Sequence, residues 1–376
     1  MNISFLTSGH DPYDDRIFYH MARSLRGDEN NVLIISSKKD LNEIVDGILI
    51  DCFEGENLPK RDKVKQFVKR LSDFKPNVII CSEPLTILAA RKYSVTQSGK
   101  IRIIYDITEW YPSKKNLHNH TFLLNWLIFI KLFIFNFWIT RYADSFIFGE
   151  WYKSRPYRLL YPRKKFIFTS YYPDLRYVCN TVPSLQKGTL RLSYSGKICM
   201  EKGYGNFFSV IKKLNELDKD LKINVTIIGW YERESDREEC EDMFISLDPG
   251  IKLHIYDRQD LKTFIELIKE SDIFLDLRYN DFENQHCLPI KLFYYAAIGR
   301  PVIFSDLKAI RKEIATDKFG FLVNPSDIGG IAGLILDYLE NEELYKSHCA
   351  NARYLAENLY NWQKTEPEFL KFISIR

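Results

Sequence analysis

Two stretches of this chain have the residue types and spacing to hold a phosphorylated ligand. Ser195-Gly196-Lys197-Ile198-Cys199-Met200-Glu201-Lys202-Gly203 follows directly on an apolar run that reads as a strand. A glycine at a strand's end lets the backbone approach a ligand closely. Two lysines flanking the turn, just ahead of a helix expected from Tyr204, would meet a diphosphate with charge and free N–H groups. The same pattern also describes a strand and turn with two solvated lysines. The second stretch is LPIKLFYYAAIGRPVIFSD, residues 288–306. Pro289 suits a first helical turn, and Gly299 with Pro301 suits the end, which predicts a helix over 290–298. Lys291 lies in its first turn and faces Tyr294 and Tyr295 one turn on. The partial positive charge of that N-terminus favours a phosphate group.

Two acidic groupings lie earlier. Asp106 and Glu109, with Trp110, stand at the carboxyl end of the apolar run 101–107. Their place points to function, with capping of the next helix as the alternative. Asp14, Asp15 and Arg16 suit the start of the first helix, where they would cap it and complement its dipole. No His/Asp cluster of ligand spacing stands in the sequence, so neither a metal nor another cofactor is expected. Seven cysteines, scattered singly and without a CxxC pair, argue against a disulfide framework, a zinc ribbon or an iron–sulfur site.

The elements that must position these residues follow from the apolar pattern. A chain of 376 residues, 45% hydrophobic and 27% charged, is long enough for two domains. Apolar runs at 3–7, 32–36, 77–82, 101–107 and 144–149 alternate with helix-like segments such as 15–25 and 61–74. The alternation lapses at 168–188 and restarts with runs at 190–196, 223–229, 251–256, 272–277, 300–306 and 319–323. This predicts an α/β protein of two Rossmann-like, doubly wound domains facing a central cleft. The expected boundaries are 1–170, a hinge or linker over 171–188, 189–355, and a final segment over 356–376. Such sheets bind ligands at the carboxyl ends of their strands.

The net charge of +3 excludes a general polyanion binder, so no nucleic-acid partner is expected. The charge is nevertheless uneven. Between Lys114 and Lys165 ten bases face two acids, Asp144 and Glu150, a local excess of +8 that leaves −5 elsewhere. The same window contains TFLLNWLIFIKLFIFNFWIT, 121–140, whose one formal charge is Lys131. A helix apolar nearly all round is either buried in a core or in contact with lipid. The second reading makes 121–165 a membrane-contact surface, with RPYRLLYPRKK supplying bases for anionic headgroups. The N-terminal apolar run is too short for a signal peptide. The expected location is therefore cytoplasmic, peripheral on the inner face of the membrane.

Taken in order, HDPYDDRIF, DITEWYP, G-K-x4-K-G and LPxKLFxYxAxGxPVI resemble a family 4 glycosyltransferase of the GT-B fold, of the kind acting in bacterial surface polysaccharide synthesis. LYNWQKTEPEFLKFI, 359–373, is similar to that family's final helix, which crosses back onto the N-terminal domain. The resemblance implies that Gly196, Lys197, Lys202 and Gly203 meet the donor phosphates, with Lys197 where the family usually has Arg. It also places backbone around Pro289 and Leu292 beside them, and Gly9 and His10 in a loop facing donor and acceptor. Asp106, Thr108 and Glu109 fall where an Asp–His or His–Glu pair often stands beside the reacting sugar. Two family glutamates would fall at His286 and Tyr294, neither of them acidic here. The implied activity is a retaining, metal-independent hexosyl transfer from a UDP- or GDP-sugar to a lipid-linked saccharide. Asp106, Glu109 and Lys202 would be catalytic, and Asp14, Asp15 and Trp110 would lie on the acceptor side. A catalytically inactive saccharide- or partner-binding subunit of the same fold is the alternative, and a sugar epimerase a third reading.

Overall fold

The computed structural model describes residues 1–27, 29–109, 111–112, 122–178 and 185–374. The chain divides into two units, Met1–Tyr171 with Thr365–Arg376, and Tyr172–Lys364. The first unit is built on strands β1 (Asn2–Thr7), β2 (Asn31–Ser36), β3 (Leu41–Val45), β4 (Ile48–Cys52), β5 (Val78–Cys81), β6 (Arg102–Ile107), β7 (Ser145–Phe148) and β8 (Lys165–Phe168). They form one sheet in the order β3-β4-β2-β1-β5-β6-β7-β8, parallel except where β3 runs against β4. The second unit holds β9 (Thr189–Lys197), β10 (Lys222–Trp230), β11 (Lys252–Tyr256), β12 (Ile273–Asp276), β13 (Val302–Ser305) and β14 (Gly320–Val323). Their order is β11-β10-β9-β12-β13-β14, all parallel.

Each sheet reverses its direction of growth beside its first strand, at β1 and at β9. A crevice opens at the carboxyl ends of the strands where such a reversal occurs. The central strands are Ile-, Val- and Phe-rich and almost fully buried, as a parallel sheet covered on both faces requires. In the second unit the face lined by Leu190, Leu192 and Val225 packs against helices Tyr204–Leu217 and Ile328–Glu340. Phe274, Val302 and Phe304 line the other face with helix Lys291–Ala297.

The expected hinge is part of the second unit. Tyr172 packs edge-on against Phe293 at 4.8 Å, Val178 is 3% exposed, and the Trp362 amide donates to the Pro173 carbonyl at 2.9 Å. These contacts also draw residues 356–364 into the second unit. The change of unit at the C-terminal end therefore falls within helix Trp362–Ser374, between Lys364 and Thr365, rather than at 356. Beyond that point the helix joins the first unit, where the Arg102 guanidinium donates to the carbonyls of Phe372 and Ile373 at 2.9 and 3.1 Å.

The apolar helix runs over Phe122–Thr140. Its last turns are fixed: the Asn136 amide donates to the Tyr157 hydroxyl at 2.9 Å, and the Tyr161 hydroxyl donates to the Phe137 carbonyl. Lys164 extends its ammonium to the carbonyls of Thr140, Arg141 and Ala143 at 3.1, 2.8 and 2.6 Å. That satisfies the orphan acceptors of the helix's end. Burial lowers the Lys164 pKa to about 8, and the side chain is a cap, not one of the bases available to headgroups. Lys164→Met is expected to lower unfolding stability by about 1–3 kcal/mol, read from urea denaturation, with Lys165→Met near wild type.

Candidate functional site

Each unit gathers predicted residues at the carboxyl ends of its strands. In the second unit, Met200–Lys202 forms a tight turn after β9 and closes at Gly203, whose φ is +87°. A Cβ there would lie 2.2 Å from the Leu277 carbonyl oxygen, so the turn can sit against the segment after β12 only with glycine at this position. The Tyr279 amide donates to the Glu201 carbonyl at 3.2 Å. Asn284 completes the junction. It is 1% exposed, donates to the carbonyls of Glu201 and Tyr279 at 3.0 Å each, and accepts from the Lys202 ammonium at 2.8 Å.

Lys202 is the most informative charge. Among the described residues its hydrogen-bond partner is this neutral amide, and it forms no salt bridge. Burial and the neighbouring Arg278 guanidinium both lower its pKa. Arg278 lies 3.0 Å from Asp276; burial opposes its charge, and Asp276 with Cys287, Tyr194 and Tyr295 together outweigh that. Two neighbouring cations, one of them paired with a carboxylate, make a place where an incoming anion relieves repulsion. Lys197 differs: burial opposes its charge, but its pairing with Glu232 and the nearby Cys199 and Asp236 together outweigh that and raise the lysine's pKa.

Three expectations are corrected here. Helix Lys291–Ala297 has seven residues, and its Lys291 ammonium turns back to donate to the Ser195 carbonyl at 2.5 Å, filling the space a Cβ at Gly196 would take. Lys291 therefore braces the end of β9. Beside it Tyr295, stacked on Phe274 at 3.7 Å, shares a hydrogen bond with the Ser195 hydroxyl. Tyr294 is 3% exposed and packs against Phe264, so its ring belongs to the core instead of standing in for a donor-binding glutamate. Leu292 is fully buried and its amide donates to the Pro289 carbonyl at 3.1 Å, which leaves that amide to the turn. His286, at the other glutamate position, is bonded through Nδ1 to the Phe282 carbonyl at 2.8 Å.

In the first unit the loop after β1 is held by Glu83, which no motif singled out. Its carboxylate accepts from the Thr7 hydroxyl and from the Ser8 and Gly9 amides at 2.8, 2.8 and 2.9 Å, from the start of helix Pro84–Ser94. A Glu-Pro pair at the end of an apolar run was the available signal, a cap followed by proline in the first turn. Asp14 caps helix Asp15–Ala22 through the Arg16 and Ile17 amides, and its other oxygen lies 3.0 Å from His10 Nδ1. Asp15 likewise accepts from the Arg16 amide at 2.9 Å. Both acids serve the helix start, the capping alternative. Burial disfavours the His10 charge, but Asp14, with Glu83 and Glu109 behind it, outweighs that and raises the pKa to about 10. Glu109 is exposed, and Trp110 lies outside the described residues.

Asp106 is not placed as a catalytic acid or base. It is 1% exposed and its two oxygens accept from Arg16 Nε and Nη2 at 2.8 and 2.7 Å. Arg16 Nη1 donates to the Thr169 carbonyl at 2.5 Å, and its guanidinium lies 4.7 Å from the centre of the Tyr171 ring. This bidentate pair ties the first helix to the ends of β6 and β8. Lys153, paired with Glu150 at 2.5 Å, donates to the Thr108 carbonyl at 2.6 Å. Among the described residues no three His, Cys, Asp or Glu side chains are grouped to hold a metal ion.

Residues 182–354 match the family model described as glycosyl transferases group 1. A stretch of 188 residues is 25% identical to an uncharacterized glycosyltransferase of Methanocaldococcus jannaschii, covering 49% of this chain and 45% of that relative, under half its length. Sucrose-phosphate synthase of Thermosynechococcus elongatus is similar in structure, with a TM-score of 0.75 at 12% identity over 99% of this chain and 98% of that one. Anabaena HepE in complex with UDP-glucose gives 0.72 at 13% identity over 100% and 99%. At such identities the structural likeness establishes the fold. The chain shares the fold of those structures, the GT-B fold its motifs resemble, and its match to glycosyl transferases group 1 lies in residues 182–354.

Two outcomes follow from the first-unit geometry. Asp106→Ala strands a buried guanidinium and is expected to cost about 3–5 kcal/mol, while Arg16→Met with Asp106→Leu costs clearly less than the sum of the two single changes; urea denaturation of the four proteins checks this. The His10 pKa is higher in the folded than in the unfolded chain. Its contribution to stability is thus complete below about pH 6.5 and lost as pH rises through about 10. An NMR titration should find the imidazole still protonated at pH 8, and His10→Asn should remove that part of the alkaline dependence.

Proposed function

We propose that the chain is a glycosyltransferase that moves a hexose from a UDP- or GDP-sugar to a saccharide acceptor, with retention and without a metal ion. The observation that carries this is the Lys202 ammonium, half-buried beside Arg278 with a neutral amide for a partner, at the carboxyl end of β9. In the reaction the bond from the anomeric carbon to the diphosphate oxygen breaks, and an acceptor hydroxyl oxygen bonds to that carbon. The hydroxyl proton passes to the departing diphosphate, and negative charge grows on the leaving oxygen as it departs. Lys202 and Arg278 are positioned to lower the energy of that charge, which stabilises the transition state more than the ground state. With two cations supplied by the protein, diphosphate departure needs no metal in this reading. Lys197 reaches the phosphates on release from Glu232, and Gly196 and Gly203 keep backbone close to them. In the first unit His10 carries its charge at neutral pH, which suits it to hydrogen-bond a sugar hydroxyl or a phosphate oxygen.

The proposed acceptor is a lipid-linked saccharide, and the proposed setting is cell-surface polysaccharide synthesis at the cytoplasmic face of the membrane. The apolar helix and basic surface of the first unit support that part of the reading. The non-acidic residues His286 and Tyr294 favour the alternative, a saccharide- or partner-binding subunit without activity, and the same experiment separates the two.

Lys202→Ala is expected to keep its fold and lose at least ~100-fold in kcat/KM for transfer. Asn284→Asp, which would neutralise the ammonium in place, is expected to weaken binding of UDP or GDP while leaving the uridine or guanosine contribution unchanged. Near wild-type turnover by Lys202→Ala would overturn the assignment. Absence of nucleotide binding by the unaltered protein would favour the binding subunit.

A further inference from the structure

Helix Phe122–Thr140 has an apolar stretch that no described residue covers. Its window Leu123–Thr140 has a mean hydropathy of 1.7, with 17% of its residues buried. The exposed large side chains form no single stripe. From Phe129 through Trp126, Leu123 and Leu127 to Leu124 they sweep an arc of roughly 220° at 100° per residue, and each is at least 39% exposed. A helix packed on another protein presents an apolar stripe of about 100° or somewhat more. A protein partner seated on one side would therefore leave much of this arc in water. Lipid surrounds a helix and covers the whole arc.

The helix does not span a bilayer while the unit stays folded. Asn136, Ile139 and Thr140 are buried in the first unit, where Asn136 is bonded to Tyr157 and Lys164 caps the end. The exposed large side chains of Leu123–Ile134, with Lys131 exposed among them, span about 18 Å against about 30 Å of hydrocarbon. The Tyr161 hydroxyl on the Phe137 carbonyl ties the segment that follows Leu159 and Leu160, 81% and 52% exposed, to the last turns of the helix. Arg155, Arg158 and Arg163 are exposed around them. Arg158 lies 5.0 Å over the Phe166 ring, with its stem along apolar surface.

We propose that residues 122–134 are a monotopic anchor, inserted into one leaflet of an anionic bilayer, with Leu159 and Leu160 extending the apolar contact and Arg155, Arg158 and Arg163 meeting the headgroups. The proposal deepens, and rests on, the reading of the enzyme as one that acts at a membrane face. Two terms hold the protein there: apolar burial, which is insensitive to salt, and attraction of guanidinium to headgroup, which weakens with ionic strength.

The test is co-sedimentation of the full chain with vesicles of phosphatidylcholine alone and of phosphatidylcholine with phosphatidylglycerol. The protein is expected to pellet with the anionic vesicles, partially at high salt and weakly with the neutral ones. Leu127→Glu with Ile134→Glu, both at exposed positions, should reduce binding by about tenfold or more at unchanged thermal unfolding. Arg155→Glu with Arg158→Glu and Arg163→Glu should remove the preference for anionic lipid. Recovery in the supernatant with both vesicle types would overturn the proposal. So would a lipid-free dimer that the Leu127→Glu, Ile134→Glu protein fails to form, because the partner would then be a second copy. UDP titration of the same preparations keeps the two readings apart: nucleotide binding without vesicle binding refutes the anchor alone, and vesicle binding without nucleotide binding refutes the enzyme alone.

Discussion

The half-buried ammonium of Lys202 is the constraint around which the second unit's site is arranged. An ammonium in that position needs a partner, and a carboxylate would cancel the charge that a diphosphate requires. Asn284 resolves this by offering an amide oxygen while its nitrogen holds the carbonyls of Glu201 and Tyr279. One buried side chain thereby fixes both the cation and the two segments that flank it. Gly203 permits the close approach, and Lys291 and Tyr295 fix the end of β9 through Ser195. Arg278 adds a second charge whose repulsion of Lys202 is tolerable only because Asp276 lies beside it.

The first unit treats charge in the opposite way. Asp106 is neutralised by Arg16, Glu150 by Lys153, and Asp14 by helix amides and His10. These pairs fix the loop after β1 and the ends of β6 and β8. Its distinctive surface lies instead on Phe122–Thr140, where the apolar residues are held from one end and no described residue covers them at the other.

Much of this was legible in the sequence, because parallel strands buried on both faces read as short apolar runs. Eleven strands lie where those runs are. The hairpin β3–β4 was missed although Asp46-Gly47 between two β-branched residues is a strong turn signal. It sits at the sheet's edge, where apolar residues alternate instead of running together. β8 was missed because Lys165–Phe168 merges with the basic segment before it. At the site, Gly196, Lys202 and Gly203 were readable as a turn after a strand. The partner of Lys202 was not, since Asn284 lies 82 positions away in a segment without periodicity. Asp106 misled for a related reason: an acid at a strand's carboxyl end looks the same whether a substrate or a buried arginine 90 positions earlier receives it. The family resemblance supplied the order of motifs, but it could not show that Tyr294 turns into the core while Lys291 turns back on Ser195.

The central claim is that Lys202 and Arg278 form a diphosphate site, and calorimetric titration with UDP, GDP and a panel of their sugar conjugates tests it most directly. The account predicts selective micromolar binding to one nucleotide and its conjugate, weakened severely by Lys202→Ala and far less by Lys197→Ala. No binding by the folded, unaltered protein, or equal binding by Lys202→Ala, would contradict it.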